Sequence, residues 1–469
     1  MARRALLQPQ DLIAQLPPGQ PQPAAALAER LGVNRMTLSR LVAASGDQVV
    51  RLGQTRATAY ALRQPSRVGS EWPLYRLRED ATLEELGRLI ALSGDTFHLD
   101  ASRARPNLLR TPEGDIAAFF PGLPWYLDDL RPQGFLGRSF AHGRARGLGL
   151  PADLTRWQRD DVLVALVALV HGGGTETGDL LLGGEAVQAA LAALDAPPDR
   201  VAARDRPQQY PQRARAALAG EDVGSSPGGE QPKFTATVES DGGRRAVIVK
   251  FAQPDGGEAA QRWADLLVCE HLALEILRAA GVDAASSELL QTPTHTFLEV
   301  TRFDRSADVL GRRGFVSLLS LSAAFTGEAT AEWPRAGALL QAAGWLSAET
   351  VQVMARLHAF GRLIGNGDMH QGNIGFHFVD RGPLPLAPAY DMLPMSLAPS
   401  RLGVLRQDAP LDAVAPRESG ELEHLRWAAP LASEFWERVA GDARVGSDGL
   451  RALARGNVEG VRAMGARFG

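Results

Sequence analysis

Cysteine is almost absent from this 469-residue chain, and lysine nearly so. Cys269 stands alone, which excludes an intrachain disulfide and a cysteine zinc site and fits a reducing cytosol. Of 50 basic residues only Lys233 and Lys250 are lysine, and the other 48 are arginine. No apolar run approaches the ~20 residues of a membrane-spanning helix. The longest, Val162 to Val170, reads as a buried helix. Behind Met1-Ala2-Arg3-Arg4, the polar Gln8, Gln10 and Asp11 interrupt any signal-peptide core. His370 and His377 have no third histidine clustered with them, so zinc is not expected either. These absences point to a soluble cytoplasmic protein without a membrane role. Its length implies roughly two to four folding units.

What stands out among the residues present is a basic head and two placed lysines. A chain this committed to arginine keeps lysine where a compact point charge suits a phosphate better than a planar fork. Lys233 closes the loop Gly224-Ser225-Ser226-Pro227-Gly228-Gly229-Glu230-Gln231-Pro232, and Lys250 ends the strand-like run Ala246-Val247-Ile248-Val249. Residues 1–70 hold nine arginines against three acids, a charge of +6, which leaves −10 for the rest. Within that head, Leu27 and Leu31 stand one helical turn apart, Gly32 supplies a turn, and Asn34 can cap a second helix with Leu38, Leu41 and Val42 inward. That is helix-turn-helix spacing. Arg35, Thr37, Ser39 and Arg40 face outward, and Val49 to Arg63 alternates about Gly53 as a wing carrying Arg51 and Arg56 would. Such a surface fits duplex DNA, met through residues 1–68.

After a linker at 64–69, residues 72–205 read as mixed, with strands near Tyr75–Leu77 and Thr96–Leu99, helices at 82–93 and 154–170, and no catalytic pattern. The polar stretch Gln208 to Arg213 reads as a boundary. Beyond it, Phe234–Val238 and Ala246–Phe251 form a hairpin, and a helix runs from about Gly257 to Ala280. Glu270 completes the helix's apolar stripe of Trp263, Leu266, Leu267, Leu274 and Leu277. A carboxylate on such a face needs a cation, and Lys250 is the one on offer. Asp368 and Asn373 then stand five apart in a loop between a helix ending near Leu363 and a strand at Ile374–Val379. This is the Asp-x-x-x-x-Asn spacing of phosphoryl transfer, one residue accepting a hydroxyl proton and the other helping to hold magnesium. If the following hairpin folds about Gly382, Asn373 falls opposite Asp391, at a cross-strand separation of roughly 4.5–5.5 Å. Glycine-rich lid, strand lysine, helix glutamate, Asp/Asn loop and hairpin aspartate stand in kinase order.

Across about residues 70–400 the chain resembles the HipA family, the serine/threonine kinase toxins of bacterial toxin–antitoxin modules. The carriers are Ser226-Pro-Gly-Gly-Glu-Gln-Pro-Lys233, Val249-Lys250, Thr301-Arg-Phe-Asp-Arg305, Asn366-Gly-Asp-Met-His-Gln-Gly-Asn373, Ala389-Tyr-Asp391 and, more weakly, Gly122-Leu-Pro to Gly134. The resemblance implies ATP and Mg2+ as cofactors, with Asp368 as catalytic base, Lys250 on the phosphates, and Asn373 and Asp391 on the metal. It implies an ATP-facing set of Gly228, Gly229, Glu230, Gln231, Lys233, Lys250, Thr301, Arg302, Phe303, His370, Asn373 and Tyr390, in which Thr301–Phe303 form the hinge. Ser226, with Ser225 as the adjacent alternative, matches a loop serine whose autophosphorylation ejects the lid. Family members phosphorylate cytosolic proteins, notably aminoacyl-tRNA synthetases, and arrest growth. The usual member leaves DNA binding to a separate antitoxin. This chain carries its own head, as the helix-turn-helix-bearing, HipH-like subfamily does, so an antitoxin partner is left open.

The expected fold is therefore α+β, a bilobal protein-kinase-like (HipA-like) body behind an N-terminal winged helix-turn-helix. The expected units are 1–68 for the head, 72–310 for the N-terminal subdomain and kinase N-lobe, and 311–469 for a mostly helical C-lobe. Two other functions stand beside the protein kinase: a DNA-binding repressor with a sensory or inactive kinase-like body, and a small-molecule phosphotransferase. The latter shares the Gly-Asp-x-His-x-x-Asn string but has no need of a phosphorylatable lid serine.

Overall fold

A computed structural model describes residues 7–53, 57–102, 108–114, 117–168, 176–219, 231–253, 257–307, 311–400, 402–405, 416 and 420–468. The head packs three helices, α1 (Pro9–Ile13), α2 (Ala24–Leu31) and α3 (Arg35–Ala44), on a small sheet of β1 (Gln22–Pro23), β2 (Val49–Leu52) and β3 (Ala59–Leu62), ordered β1-β3-β2. Gly32 ends α2 in the left-handed region at φ 61°, where a side chain would be strained. The Asn34 side chain then caps α3 by accepting from Thr37 N at 2.9 Å. Leu12, Leu27, Leu38 and Leu41 close the head's core.

The head does not hang on a free tether. Val50, Leu52 and Ala61 share a buried cluster with Ile90 and Leu92 of the next unit. Ser93 N donates to Leu62 O, Gln64 N donates to Ala91 O, and Arg63 pairs with Glu71 at 3.0 Å. That unit is a five-stranded antiparallel sheet of β4 (Glu71–Leu77), β5 (Leu83–Leu92), β6 (Thr96–Asp100), β7 (Phe119–Pro121) and β8 (Leu180–Leu182), ordered β7-β6-β5-β4-β8. It is flanked by α4 (Gly134–Leu148), α5 (Arg159–Ala168) and α6 (Gly184–Asp195). Here the helix expected over 82–93 is instead the long strand β5. Its leucine spacing suits a helix, but pairing with β4 and β6 overrides local propensity. Gly87, at φ 144° opposite a register shift at Leu74/Tyr75, sits at a bulge that puts Leu86 in the same buried cluster as Leu89, while Ile90 and Leu92 on the other face are covered by the head. The helix expected at 154–170 begins only at Arg159, after a single 3-10 turn capped by Asp153.

A second five-stranded sheet follows, of β9 (Arg200–Ala202), β10 (Lys233–Ser240), β11 (Gly243–Ala252), β12 (Ser287–Gln291) and β13 (Thr296–Thr301), ordered β12-β13-β11-β10-β9. One face is covered by α7 (Arg206–Ala219), which buries Tyr210 and Ala214 against Phe234, Val249 and Phe297. The polar stretch at Gln208–Arg213 is thus the body of a helix, not a boundary. The long helix α8 (Glu258–Ala279) carries Glu270 toward the lysine-bearing strand. The C-terminal part joins β14 (Phe315–Ser317) to β15 (Gly375–His377) and adds α9 (Leu318–Phe325), α10 (Trp333–Ala342), α11 (Ala348–Leu363), α12 (Glu421–Gly441) and α13 (Asp448–Phe468). Asp265 of α8 accepts from Gly446 N at 2.7 Å and also receives Ser447, pinning α8 to the start of α13. One continuous apolar core runs from the β4–β8 sheet through α8 into α10–α13. Among the described residues no helix is long and apolar enough to cross a membrane.

Candidate active site

The two lysines meet because β10 and β11 pair antiparallel with Lys233 directly across from Lys250, and cross-strand partners project to the same face. Lys250 is almost fully buried and Glu270 is wholly so. The ammonium donates to both Glu270 carboxylate oxygens, at 2.7 and 2.8 Å, and also to Asp391 Oδ1. The expected helix glutamate and strand lysine are therefore joined. Burial alone would lower the pKa of Lys250, but the Asp391 and Glu270 carboxylates outweigh it and raise it above the ordinary value. Burial likewise works to raise Asp391, yet Lys250 and then Lys233 hold it down at about 2. Glu270 goes the other way: its complete dehydration dominates and raises its pKa despite Lys250. Two carboxylates on one ammonium leave surplus negative charge, with Lys233 the nearby basic group.

The Asp368–Asn373 turn lies against the same group. Helix α11 ends at Leu363, and a 3-10 turn at Gln371–Asn373 leads into β15. Asn373 Nδ2 donates to the Asp368 carbonyl at 2.8 Å, so the amide oxygen is the atom it has to offer. His370 caps the turn by accepting from Gly372 N at 3.0 Å, with its Nε2 3.9 Å from Asp368 Oδ1. Tyr390 donates to Gly372 O at 2.9 Å. Asn366, which opens the loop motif and has no role assigned from sequence, ties the two motifs together. Its Oδ1 accepts from Asp368 N at 3.1 Å, and its Nδ2 donates to Asp391 O at 3.3 Å. The readable signal was a polar amide two residues before the aspartate, in a loop that must turn sharply after a helix.

The hairpin register differs from expectation. His377 N donates to Pro385 O and Ala387 N to Gly375 O, and Phe376 bridges Leu386, so the turn centres on 381 rather than 382. Asn373 is thus two residues out of register with Asp391. Because a strand alternates with period 2, a two-residue slip preserves the face. Among the described residues, Asp391 is also one of three non-glycine residues at positive φ, 54°, a conformation that Asp tolerates better than most and that recurs at functional sites.

Other expected residues are placed as follows. Gln231 Nε2 lies 3.4 Å from Phe251 O. Thr301 N donates to Ser286 O at 2.8 Å, and Phe303 packs 5.6 Å from Tyr390, ring to ring. The Arg302 guanidinium is buried against Asp304, at 2.9 and 2.8 Å, and the Glu176 carbonyl, and its backbone N donates to Ala246 O at 2.9 Å, which leaves its backbone carbonyl for a hinge. A long planar fork beside a buried carboxylate is drawn to it. In the head, Arg35, Ser39, Arg40 and Arg51 are exposed and Thr37 is half-buried, and Met36, unremarked in the sequence, is 66% exposed beside them. Ser225, Ser226, Gly228, Gly229, Glu230 and Arg56 lie outside the described residues.

A two-layered unit of largely antiparallel sheet and long helix, over a helical part carrying an Asp/Asn turn, is a kinase-like fold. The HipA chain of the Shewanella oneidensis MR-1 toxin–antitoxin complex of HipA, HipB and operator DNA shares it, with a TM-score of 0.50 at 14% identity over 84% of this chain and 97% of that one. The particular family follows from sequence. Residues 225–444 match the HipA-like C-terminal domain, residues 68–191 match the middle domain of YjjJ-like toxins, and toxin YjjJ of Escherichia coli K12 is 38% identical over 455 residues, 96% of each chain. The chain belongs to the HipA family of toxins.

Proposed function

We propose that this protein is an ATP- and Mg2+-dependent serine/threonine protein kinase of toxin–antitoxin type. The observation that carries the reading is Asn366, which pins Asp368 and Asp391 to one side chain while Asp391 also reaches the Lys250–Glu270 pair. Two separate chain segments and the lysine-bearing hairpin thereby converge on one spot. Asp368 accepts the proton of the attacking hydroxyl, and Lys250 and Lys233 face the nucleotide phosphates as point charges. The donors at Asp391 and Asn373 are hard oxygens next to surplus negative charge, which suits Mg2+. Bound there, Mg2+ would neutralise charge on the transferring phosphoryl group. The substrate is a cytosolic protein, with aminoacyl-tRNA synthetases the first to test.

The head is read as a winged helix-turn-helix for duplex DNA, supported by its +6 charge, the Asn34-capped α3 and the β2–β3 hairpin. The related HipA was found with HipB and operator DNA, which supports an operator and an antitoxin as partners.

Incubation of the full chain with labelled ATP and Mg2+ tests the enzyme. Label is expected on protein, with mass spectrometry placing it on Ser226 or else Ser225. Absence of transfer to this chain or any added protein would overturn the reading.

A further inference from the structure

The middle unit reads from sequence as catalytically silent, but one of its turns reaches the back of the catalytic loop. Residues Trp125–Leu130 form a 3-10 turn. Trp125 seats it, with ring centroids 5.3 Å from Phe325, 5.5 Å from Trp345 and 5.4 Å from Phe378, all in the C-terminal part. Beyond that anchor, the Asp129 carboxylate accepts from Ser317 N at 2.7 Å. Ser317 in turn caps α9, accepting from Ser320 N at 3.1 Å. It also pairs with Gly375 across β14–β15, and the next amide, Leu318 N, donates to Ile374 O at 2.9 Å. Ile374 follows Asn373 directly. Burial first, and then the Asp391 and Asp129 charges, raise the pKa of Tyr390, the residue that donates to Gly372 O.

We infer that Asp129 is a positioning residue through which the middle unit holds the Gln371–Asn373 turn in its working geometry. The inference rests on the kinase reading for what that geometry does, but not for the contact itself. The physical case is that a carboxylate accepting a backbone N–H is a charge-assisted bond in a partly buried place. It fixes the junction of β14 and α9, where Ser317 pairs with Gly375 and Leu318 bonds Ile374, the residue directly after the turn. A ligand-bearing turn displaced by an ångström loses rate more than it loses substrate binding, because the nucleotide's grip on Lys250 comes from β11 and α8.

The test uses the full chain and two variants. Asp129→Ala removes the acceptor, and Asp129→Asn keeps one in its amide oxygen. Hydrogen exchange of the unliganded proteins is read over peptides spanning 369–377 and over β10–β11. The expected result is faster exchange at 369–377 in Asp129→Ala alone, with β10–β11 unchanged and Asp129→Asn restoring protection. Phosphoryl transfer should follow, with kcat falling up to about 10²-fold in Asp129→Ala while KM for ATP stays put. Unaltered exchange at 369–377, or equal loss of protection throughout the chain, would overturn the inference, as would failure of Asp129→Asn to restore it. The exchange result expected here together with a wild type that never transfers phosphate would leave the positioning role standing and fell the kinase reading.

Discussion

Among the residues of the site, charge partnership decides more than proximity. Asp368 is half-exposed and takes no part in the buried lysine triad, so its loss should leave the nucleotide's grip intact. Asp368→Asn is expected to cut phosphoryl transfer by ~10²–10⁴ while Mg-ATP affinity by calorimetry is unchanged. Transfer at the wild-type rate would remove Asp368 from the role of base. Asp391 makes a different prediction. Its pKa when folded, about 2, lies below its ordinary 3.8, so the folded protein binds fewer protons there than the unfolded one. The stability this contributes is complete above about pH 4 and is lost as pH falls from about 4 towards about 2. The urea midpoint of wild type should therefore fall toward that of Asp391→Asn over this window. Curves that stay parallel would show that Lys250 does not hold Asp391 in solution. The raised Lys250 behaves oppositely, its contribution being full below 10.5 and lost only at higher pH.

For the elements, the head is the instructive case. Taken from sequence, residues 1–68 look like a separable DNA-binding unit. In the fold, Val50, Leu52 and Ala61 lose their cover if the chain is cut there, since Ile90 and Leu92 provide it. DNA binding is therefore best tested on the full chain by gel shift over fragments of its own promoter. Affinity should fall steeply with salt as counterions are released, and Arg35→Ala and Arg40→Ala should each weaken it. No retardation at low salt would remove the DNA role. The same element explains a stability effect. Asn34→Ala leaves the Thr37 amide without its cap and should cost about 1 kcal/mol, read as a lower urea midpoint. The misread β5 teaches the converse: period alone cannot tell a leucine-rich strand from a helix when both faces are buried.

Across the whole molecule, the middle unit is a working part of the assembly. It meets the C-terminal part at the Trp125 cluster and again where Arg76, a β4 residue, pairs with Asp380 in the loop after β15. Because a single apolar core spans the β4–β8 sheet, α8 and the C-terminal helices, these units should unfold together. Trp125→Ala is expected to cost on the order of 3 kcal/mol and to split one denaturation transition into two. A single transition at an unchanged midpoint would show that the aromatic anchor is dispensable.

What the amino-acid sequence determined by itself was chemistry that is local or in register. The Lys233/Lys250 hairpin, the helix from Gly257 to Ala280, the Asp368-to-Asn373 spacing and the Asn34 cap each depend on residues near one another along the chain. Glu270 could be matched to Lys250 because an unpaired carboxylate on an apolar face is too costly to leave alone. Only the tertiary structure decided which distant groups share a partner. That Asp391 joins Lys250, that Asn366 ties Asp368 to Asp391, that Arg302 turns to Asp304, and that Asp129 reaches Ser317 all depend on sheets and helices brought together by core burial. Burial is non-directional and does not dictate from composition which polar groups it traps side by side. The two-residue slip of the hairpin has the same origin, since its register is settled by Ala389 N bonding to Asp283 O on another segment rather than by the turn residues.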